Sequence, residues 1–147
     1  MYFVFLKNLE ETILFAQNFS LRLKAKSKIL LTGQIGAGKT SFVKGIALGL
    51  QIKENITSPT FALSHHYYSG RTPLIHMDFY RLENHLSAKE LFLEEEEELD
   101  QNNGIMIIEW PEIIISLVDE YWLLKFEYAE QSGRIVTVYD PQALRKS

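Results

Sequence analysis

Residues 33–40 read GQIGAGKT, and this stretch decides the fold because it matches the phosphate-loop pattern G-x-x-x-x-G-K-[ST] at every fixed position. Residues 27–32 (SKILLT) before it are typical of a strand, and residues 39–50 (KTSFVKGIALGL) after it carry apolar side chains at helical spacing. A strand that enters the loop and a helix that leaves it form the context in which the pattern binds phosphate. The sequence therefore predicts a nucleoside triphosphate site, and the alternative is a glycine-rich loop that only joins a strand to a helix.

Each part of this loop has a predicted role. Glycine allows the backbone to turn so that several N–H groups point at phosphate oxygens, and the following helix adds its positive N-terminal end. Lys39 is expected to reach the β- and γ-phosphates, the Thr40 hydroxyl to ligate Mg²⁺, and Ser41 to contact an α-phosphate. The predicted nucleotide-binding residues of the loop are Gly33, Gln34, Ile35, Gly36, Ala37, Gly38, Lys39, Thr40 and Ser41.

Outward from the loop, strand patterns and helix patterns are interspersed. Strands are predicted at residues 3–6, 27–32, 62–68, 73–78, 104–109, 122–128 and 133–139, and helices at residues 9–23, 39–50, 87–100 and 111–118. Asn8 is the predicted cap of the first helix, and Ser87 with Glu90 has capping-box spacing. Pro111 suits the first position of the last helix. This mixture predicts an α/β fold: a three-layer, phosphate-loop NTPase-like domain in which helices flank a mixed β-sheet.

The composition is that of one soluble domain. The chain has 147 residues, of which 46% are hydrophobic and 23% charged, and we expect a single domain over residues 1–140 and a flexible tail over residues 141–147. The chain has no cysteine and no apolar stretch long enough to span a membrane, which predicts a cytoplasmic protein. The net charge of −4 argues against nucleic acid as a direct high-affinity ligand, and the basic residues 22–28 (RLKAKSK) are interpreted as a solvated helix end.

Two acidic residues stand at the ends of predicted strands, where a phosphate loop needs a carboxylate for its metal. Residues 74–78 (LIHMD) end in Asp78, and residues 105–109 (IMIIE) end in Glu109. Ligands of open α/β sheets gather outside the carboxyl ends of the strands, so both acids are candidates for metal ligation or water activation. The alternatives are an exposed glutamate at a strand end and an aspartate that caps a turn before Arg81.

Three further segments have two interpretations each. His76 shares the Asp78 face of its strand, yet a lone histidine is more often packed than ligating. Residues 57–61 (TSPTF) are a candidate switch segment that responds to the γ-phosphate, or a plain turn fixed by Pro59. Residues 94–98 (EEEEE) are a solvated helix face, or a docking surface for a basic partner.

Motifs that the sequence lacks indicate which nucleotide is bound and exclude some classes of nucleotide-binding protein. An Asn-Lys-x-Asp guanine motif is missing, which favours ATP over GTP, and so is the LSGGQ signature of transporter ATPases. The chain leaves little length for a lid or an acceptor-binding domain, which argues against a small-molecule kinase. An ATPase is therefore predicted, and the alternatives are a small-molecule kinase and a non-catalytic, nucleotide-dependent interaction module.

The order and spacing of four motifs resemble the TsaE family, also called YjeE. The motifs are residues 33–40, residues 57–61, the H-x-D-x-Y-R-L segment at residues 76–82 and the E-W-P segment at residues 109–111. The resemblance implies the small ATPase of bacterial tRNA threonylcarbamoyladenosine synthesis, which works with the TsaD–TsaB heterodimer on adenosine 37. It implies that ATP hydrolysis resets the complex, that TsaE does not transfer the threonylcarbamoyl group, and that tRNA is met only through the complex.

The resemblance also assigns roles by matching position. Thr40 and Glu109 resemble the family's Mg²⁺ ligands, and Lys39 resembles its phosphate-binding lysine. Asp78 resembles the family's acid that orders metal-bound or attacking water. The predicted catalytic residues are therefore Lys39, Asp78 and Glu109.

Residues outside the phosphate loop complete the predicted site. Trp110 resembles the indole that follows the glutamate, beside the nucleotide or the partner surface, and Thr12 and Arg134 resemble positions that approach the nucleotide. Arg71, Arg81 and Arg134 are candidates for an arginine finger, which a partner could supply instead. We therefore expect weak hydrolysis by the chain alone and stimulation by TsaD–TsaB.

Overall fold

A seven-stranded mixed sheet organises the protein in a computed structural model, which describes residues 1–59 and 63–145. The strands are β1 (Tyr2–Leu6), β2 (Lys28–Gly33), β3 (Ser64–Tyr67), β4 (Leu74–Asp78), β5 (Ile105–Glu109), β6 (Trp122–Tyr128) and β7 (Arg134–Tyr139). The helices are α1 (Leu9–Phe19), α2 (Lys39–Gly49) and α3 (His85–Asn102), with short 3₁₀ turns at Ser20–Arg22, Pro111–Ile113 and Ile115–Leu117. The predicted α/β class with a mixed sheet is confirmed.

The sheet order β1-β7-β6-β2-β5-β4-β3 places a parallel core between antiparallel edges. Strands β4, β5, β2 and β6 run parallel, whereas β3, β7 and β1 pair antiparallel with their neighbours. In this register Glu109 lies opposite Leu31 on one side and Asp78 on the other. The carboxyl ends of β2, β4 and β5 therefore meet at the edge of the sheet where the phosphate loop begins.

Helices cover both faces of the sheet and bury two apolar clusters. Helices α1 and α2 pack on one face, where Phe42 contacts Phe19 and Phe126 with ring centroids 5.8 Å apart in both pairs. Helix α3 and the two 3₁₀ turns after β5 cover the other face, where Phe92 and Ile108 are fully buried. Strands buried on both faces read as continuous apolar runs, which explains the sequences of β4 and β5.

Helices α1 and α2 approach so closely at Gly45 that this position has no room for a side chain. A Cβ atom there would lie 2.4 Å from the Ile13 carbonyl oxygen and 2.5 Å from the Ala16 Cβ. Because backbone of the facing helix is involved, the contact can be relieved only by separating the helices.

We expect Gly45→Ala to lower the free energy of unfolding by about 2 kcal/mol. Overpacking costs about 3 kcal/mol, and the better helix propensity of alanine returns about 1 kcal/mol of that. Urea unfolding measures the difference, and Leu48→Ala in the same helix, at a side chain 54% exposed, is the control. A Gly45→Ala protein as stable as the parent would show that the two helices do not meet in this way.

Several predicted boundaries were wrong. The first helix does not run to residue 23, because α1 ends at Phe19 and a 3₁₀ turn follows. The capping box at Ser87 does not form: α3 begins at His85, and the Asn84 side chain accepts the Ser87 backbone N–H. Asparagine is as good an N-cap as serine, so the earlier residue takes the role. The Asn8 cap is confirmed, since its side chain accepts the Glu11 N–H.

The region after β5 is not one helix either. Residues 111–118 form two separate 3₁₀ turns, with Pro111 at the first helical position of the first turn. Consecutive isoleucines in so short a segment disfavour a regular helix, because β-branched side chains crowd the preceding turn. Helix α3 also runs two residues past its predicted end, to Asn102.

Three predictions stay predictions. Residues 60–62 lie outside the described residues, so the predicted start of β3 and the second half of the candidate switch segment do too. Residues 141–144 form a turn in which Leu144 packs against the α3-side cluster, and the division into one domain and a flexible tail stays a prediction. Among the described residues, no helix is both long and apolar enough to cross a membrane.

Candidate active site

The phosphate loop connects β2 to α2 through a backbone that requires glycine. Gly33, Gly36 and Gly38 have φ values of 138°, 82° and 109°, in the left-handed region that other residues rarely adopt. A Cβ on Gly33 would lie 2.4 Å from the Phe126 carbonyl oxygen, so β6 also excludes a side chain there. Gly38 is the N-cap of α2 and lacks a side chain to cap it, so the first backbone N–H groups of α2 are left for a ligand.

A cavity of about 350 Å³ opens between this loop and the ends of β4 and β5. It is lined by Leu9, Ile35, Gly36, Gly38, Lys39, Thr40, Ser41, Ser58, Asp78, Tyr80, Arg81, Glu109 and Trp110. The cavity therefore collects all three predicted catalytic residues together with the helix N-terminus. We refer to it as the loop cavity.

Lys39 is held against the loop rather than extended into solvent. Its side-chain Nζ donates to the Gly33 carbonyl oxygen at 2.5 Å and lies 3.8 Å from the centre of the Trp110 ring. Burial lowers the pKa of Lys39, and the negative charges of Glu109 and Asp78 oppose this shift. The ammonium is therefore poorly solvated, and the two nearby carboxylates stabilise its charged form.

Glu109 ends β5 as a carboxylate with only 4% of the residue exposed. Its Oε2 lies 2.6 Å from Nε2 of His76, which is fully buried on the neighbouring strand β4. This contact offsets the free-energy cost of burying the Glu109 carboxylate, because it gives the carboxylate a hydrogen-bond partner. The interpretation of Glu109 as an exposed strand-end residue was therefore wrong, and sequence reasoning did not assign His76 to it.

Asp78 lies beside Glu109 in the register of β4 and β5. Its Oδ1 accepts the Tyr80 backbone N–H at 2.9 Å, and its Oδ2 lies 3.4 Å from the Ser58 hydroxyl. Burial raises the pKa of Asp78, and the adjacent Glu109 charge adds to the rise. Two buried carboxylates side by side, one with its pKa raised, form a site whose repulsion a divalent cation would relieve.

This raised pKa makes Asp78→Asn a test of the local electrostatics. A group that binds its proton more tightly when folded contributes stability at low pH and loses it as the pH rises through the folded pKa. In Mg²⁺-free buffer at neutral pH, we therefore expect Asp78→Asn to unfold at a higher temperature than the parent. The gain should shrink on acidification, whereas the exposed Asp119→Asn should show neither effect. A lower unfolding temperature at neutral pH would contradict a raised pKa of Asp78.

Trp110 forms the wall of the loop cavity next to Lys39. Its backbone is left-handed, with φ 53° and ψ 57°, and its ring centroid lies 4.9 Å from that of Tyr80. The indole also lines an adjacent groove of about 540 Å³, into which Gly33 and Gln34 of the loop face. Trp110 therefore contacts both the predicted phosphate site and a surface beside it.

Thr12 and Arg134 lie against the loop, and neither lines the loop cavity. Thr12 is fully buried, and its hydroxyl donates to the Asn8 carbonyl oxygen at 3.3 Å. Arg134 Nη2 donates to the Gly36 carbonyl oxygen at 3.3 Å, and Tyr128 donates its hydroxyl to the Ile35 carbonyl oxygen at 3.1 Å. Arg134 and Tyr128 thus brace the loop from the β6–β7 hairpin, and Tyr128 had no sequence signal that marked it.

Of the three candidate arginines, Arg81 is the one that lines the loop cavity. Arg71 instead lies near the end of α2, where its Nε donates to the Gly49 carbonyl oxygen at 3.4 Å. Ala37, a predicted loop contact, is fully buried, donates its backbone N–H to the Gln34 carbonyl oxygen at 3.1 Å and does not line the loop cavity.

The described residues contain no cluster of three or more His, Cys, Asp or Glu side chains that could hold a metal by itself. Magnesium usually keeps several waters and takes one or two carboxylates together with phosphate oxygens. The Thr40 hydroxyl and the Glu109 carboxylate, which both line the loop cavity, fit that pattern.

A parallel core, a glycine loop that leads into a helix, and acids at the neighbouring strand ends define a phosphate-loop NTPase-like domain. The family described as "Threonylcarbamoyl adenosine biosynthesis protein TsaE" matches residues 6–136, and the chain belongs to this family. The resemblance seen in the sequence motifs is thereby confirmed.

Individual relatives agree with this assignment. The chain is 46% identical over 117 residues to the tRNA threonylcarbamoyladenosine biosynthesis protein TsaE of Treponema pallidum, covering 79% of this chain and 84% of that protein. It is 40% identical over 134 residues to the protein of the same name from Nostoc sp., covering 89% and 81% of the two chains. The crystal structure of Bacillus subtilis YdiB superposes with a TM-score of 0.76 at 28% identity, covering 95% of this chain and 85% of that chain. The protein therefore takes part in tRNA threonylcarbamoyladenosine biosynthesis.

Proposed function

We propose that the chain is a Mg²⁺-dependent ATPase that acts with TsaD and TsaB in the modification of adenosine 37 of bacterial tRNA. It supports turnover of the complex in the cytoplasm rather than transferring the threonylcarbamoyl group, and it meets tRNA through the complex. The observation that carries the proposal is the loop cavity, where Lys39, Asp78 and Glu109 are all more than nine-tenths buried and surround the phosphate loop.

The metal would be held by the Thr40 hydroxyl at the start of α2 and by Glu109 at the end of β5. When bound, the ion neutralises phosphate charge and orients water. His76 fixes the Glu109 carboxylate from β4 through its 2.6 Å contact, so the acid is oriented before any ligand arrives.

Lys39 and Asp78 have separate parts in the proposed reaction. Nucleotide phosphates would replace the Gly33 carbonyl as the partner of the Lys39 ammonium and draw it to the β- and γ-phosphates. Asp78 would orient the attacking water and accept its proton. Burial raises the pKa of Asp78, which makes its carboxylate a stronger base than that of an exposed aspartate.

Arg81 of this chain lines the loop cavity. A side chain from a partner protein would complete the stabilisation of the negative charge that develops on the phosphates. The test is steady-state ATP hydrolysis with Mg²⁺, by the chain alone and with purified TsaD–TsaB. We expect slow hydrolysis alone and strong stimulation by the partners. Hydrolysis at several turnovers per second by the lone chain, within the ordinary enzyme range, would show that no partner is needed.

The same assay separates the two alternative functions. Transfer of γ-labelled phosphate to a metabolite rather than to water would indicate a kinase. ATP binding with no hydrolysis, with or without TsaD–TsaB, would indicate a nucleotide-dependent interaction module.

A further inference from the structure

A second groove lies at the end of the sheet opposite the loop cavity, with a volume of about 450 Å³. We call it the basic groove. Five basic side chains line it against two acidic ones: Arg22, Lys24, Lys26, Lys28 and Arg145 against Glu120 and Asp140. The whole chain carries a net charge of −4, so positive charge is concentrated here. Strand β2 separates the two sites by five residue steps, or about 16 Å.

The backbone that presents Lys24 and Lys26 is fixed by hydrogen bonds. The Lys24 N–H donates to the Ser27 hydroxyl at 2.9 Å, and the Ser27 N–H donates back to the Lys24 carbonyl at 3.1 Å. The Lys26 N–H donates to the Gly104 carbonyl at 2.6 Å, and Lys26 has a left-handed φ of 68°. A lysine in that conformation costs about 1 kcal/mol or more unless surrounding contacts impose it. The turn is therefore an ordered feature, and the interpretation of residues 22–28 as a solvated helix end was wrong.

Lys24 and Lys26 are accessible to a ligand. Both side chains are exposed, and neither forms an ion pair with any residue in 1–59 or 63–145. Lys28, in contrast, pairs with Glu96 at 2.8 Å, and Arg145 pairs with Glu120. The unpaired ammonium groups stand two residues apart on one rigid turn.

Arg22 adds an oriented guanidinium to the same groove. Its Cζ lies 4.7 Å from the centre of the Trp122 ring, and its Nη1 donates to the Tyr2 hydroxyl at 2.7 Å. A guanidinium carries five N–H donors in a planar fork, and the hydrogen bond to Tyr2 uses one of them. Its remaining donors suit the oxygens of a phosphate group.

We propose that the basic groove is a second phosphate-binding site, and that its ligand is the phosphate backbone of RNA. RNA is favoured because the protein belongs to a tRNA-modification family, and a free nucleotide is the other source of the same chemistry. Three available cations give weak, salt-dependent binding, a direct contact in addition to the route through the complex given under the proposed function. The site adds to the proposed ATPase function and does not depend on hydrolysis.

The test is titration of the chain with a short labelled RNA hairpin by fluorescence anisotropy, with saturating ATP and Mg²⁺ and a range of salt concentrations. The variant is Lys24→Ala with Lys26→Ala, and the matched control is Lys44→Ala with Lys89→Ala. The control removes two exposed lysines from α2 and α3 that do not line the groove. We expect the groove variant to bind RNA about tenfold more weakly, with the slope of log K against log salt reduced by about 1.5, and the control to behave as the parent.

Competition identifies the source of the phosphate. RNA that stays bound in excess AMP and inorganic phosphate supports the nucleic-acid backbone as the ligand. Displacement by AMP, lost in the groove variant, supports the phosphate site but overturns RNA as its ligand. Equal RNA affinity for parent and groove variant, or an equal loss in the control, would overturn the proposal. ATP affinity measured on the same proteins is expected to be unchanged, which keeps this outcome separate from a failure of the ATPase function.

Discussion

Lys39→Ala is expected to lower the affinity for ATP about 100-fold. The lysine supplies a buried positive charge to the phosphates, and loss of one partner of such a charge pair costs about 3 kcal/mol. Isothermal titration with Mg²⁺–ATP measures the change. Lys44→Ala is the control, because it removes an exposed lysine from the same helix, five positions further along.

Stability measurements distinguish this loss from misfolding. Burial lowers the pKa of Lys39, which means that the ligand-free fold disfavours its charge, and removing the charge relieves that penalty. The variant should therefore unfold near the temperature of the parent. If Lys39→Ala folds normally and binds ATP as tightly as the parent, the loop cavity is not the nucleotide site.

Glu109→Gln is expected to slow partner-stimulated hydrolysis about 100-fold or more while ATP affinity changes only a few-fold. Glutamine keeps the shape of the side chain but removes the charge that would hold Mg²⁺, and electrostatic stabilisation of this kind is realised mainly in the transition state. Hydrolysis is measured with TsaD–TsaB and binding with the chain alone. The exposed Glu90→Gln on α3 is the control. Hydrolysis unchanged in Glu109→Gln would remove this acid from the metal site.

His76 should act through Glu109 rather than on the nucleotide. His76→Leu removes the partner of a buried carboxylate, and loss of such a supporting contact costs about tenfold in metal affinity or activity. We expect the apparent Mg²⁺ requirement to rise by that factor, and His76→Gln to recover part of it by restoring a hydrogen bond. An equal, complete loss of folding in both variants, seen by circular dichroism, would assign His76 to the core alone.

The parts of the site that the sequence predicted are those set by local spacing. The phosphate loop is continuous in the chain, and glycine, lysine and threonine at fixed positions specify its turn and predict its ligands. Asp78 and Glu109 were also predictable, because an acid directly after an apolar strand must lie at that strand's end.

The unpredicted parts depend on which strands become neighbours. His76 reaches Glu109 only because β4 lies beside β5, and the sequence between these two positions, which are 33 apart, carries no mark of that pairing. Tyr128 braces Ile35 across 93 residues of sequence for the same reason. The error at Ser87 was local instead. Asn84 is an equally good N-cap three residues earlier, and the helix begins directly after it.

The support of the phosphate loop by β6 and β7 has a consequence for synthesis on the ribosome. A nascent chain released only as far as residue 120 contains the entire loop sequence, yet it lacks Phe126 against Gly33, Tyr128 against Ile35 and Arg134 against Gly36. Strand β2 would also lack its β6 neighbour. We therefore expect the ability to bind nucleotide only after β6 and β7 have been synthesised, and a chain truncated before β6 should have the motif without the activity.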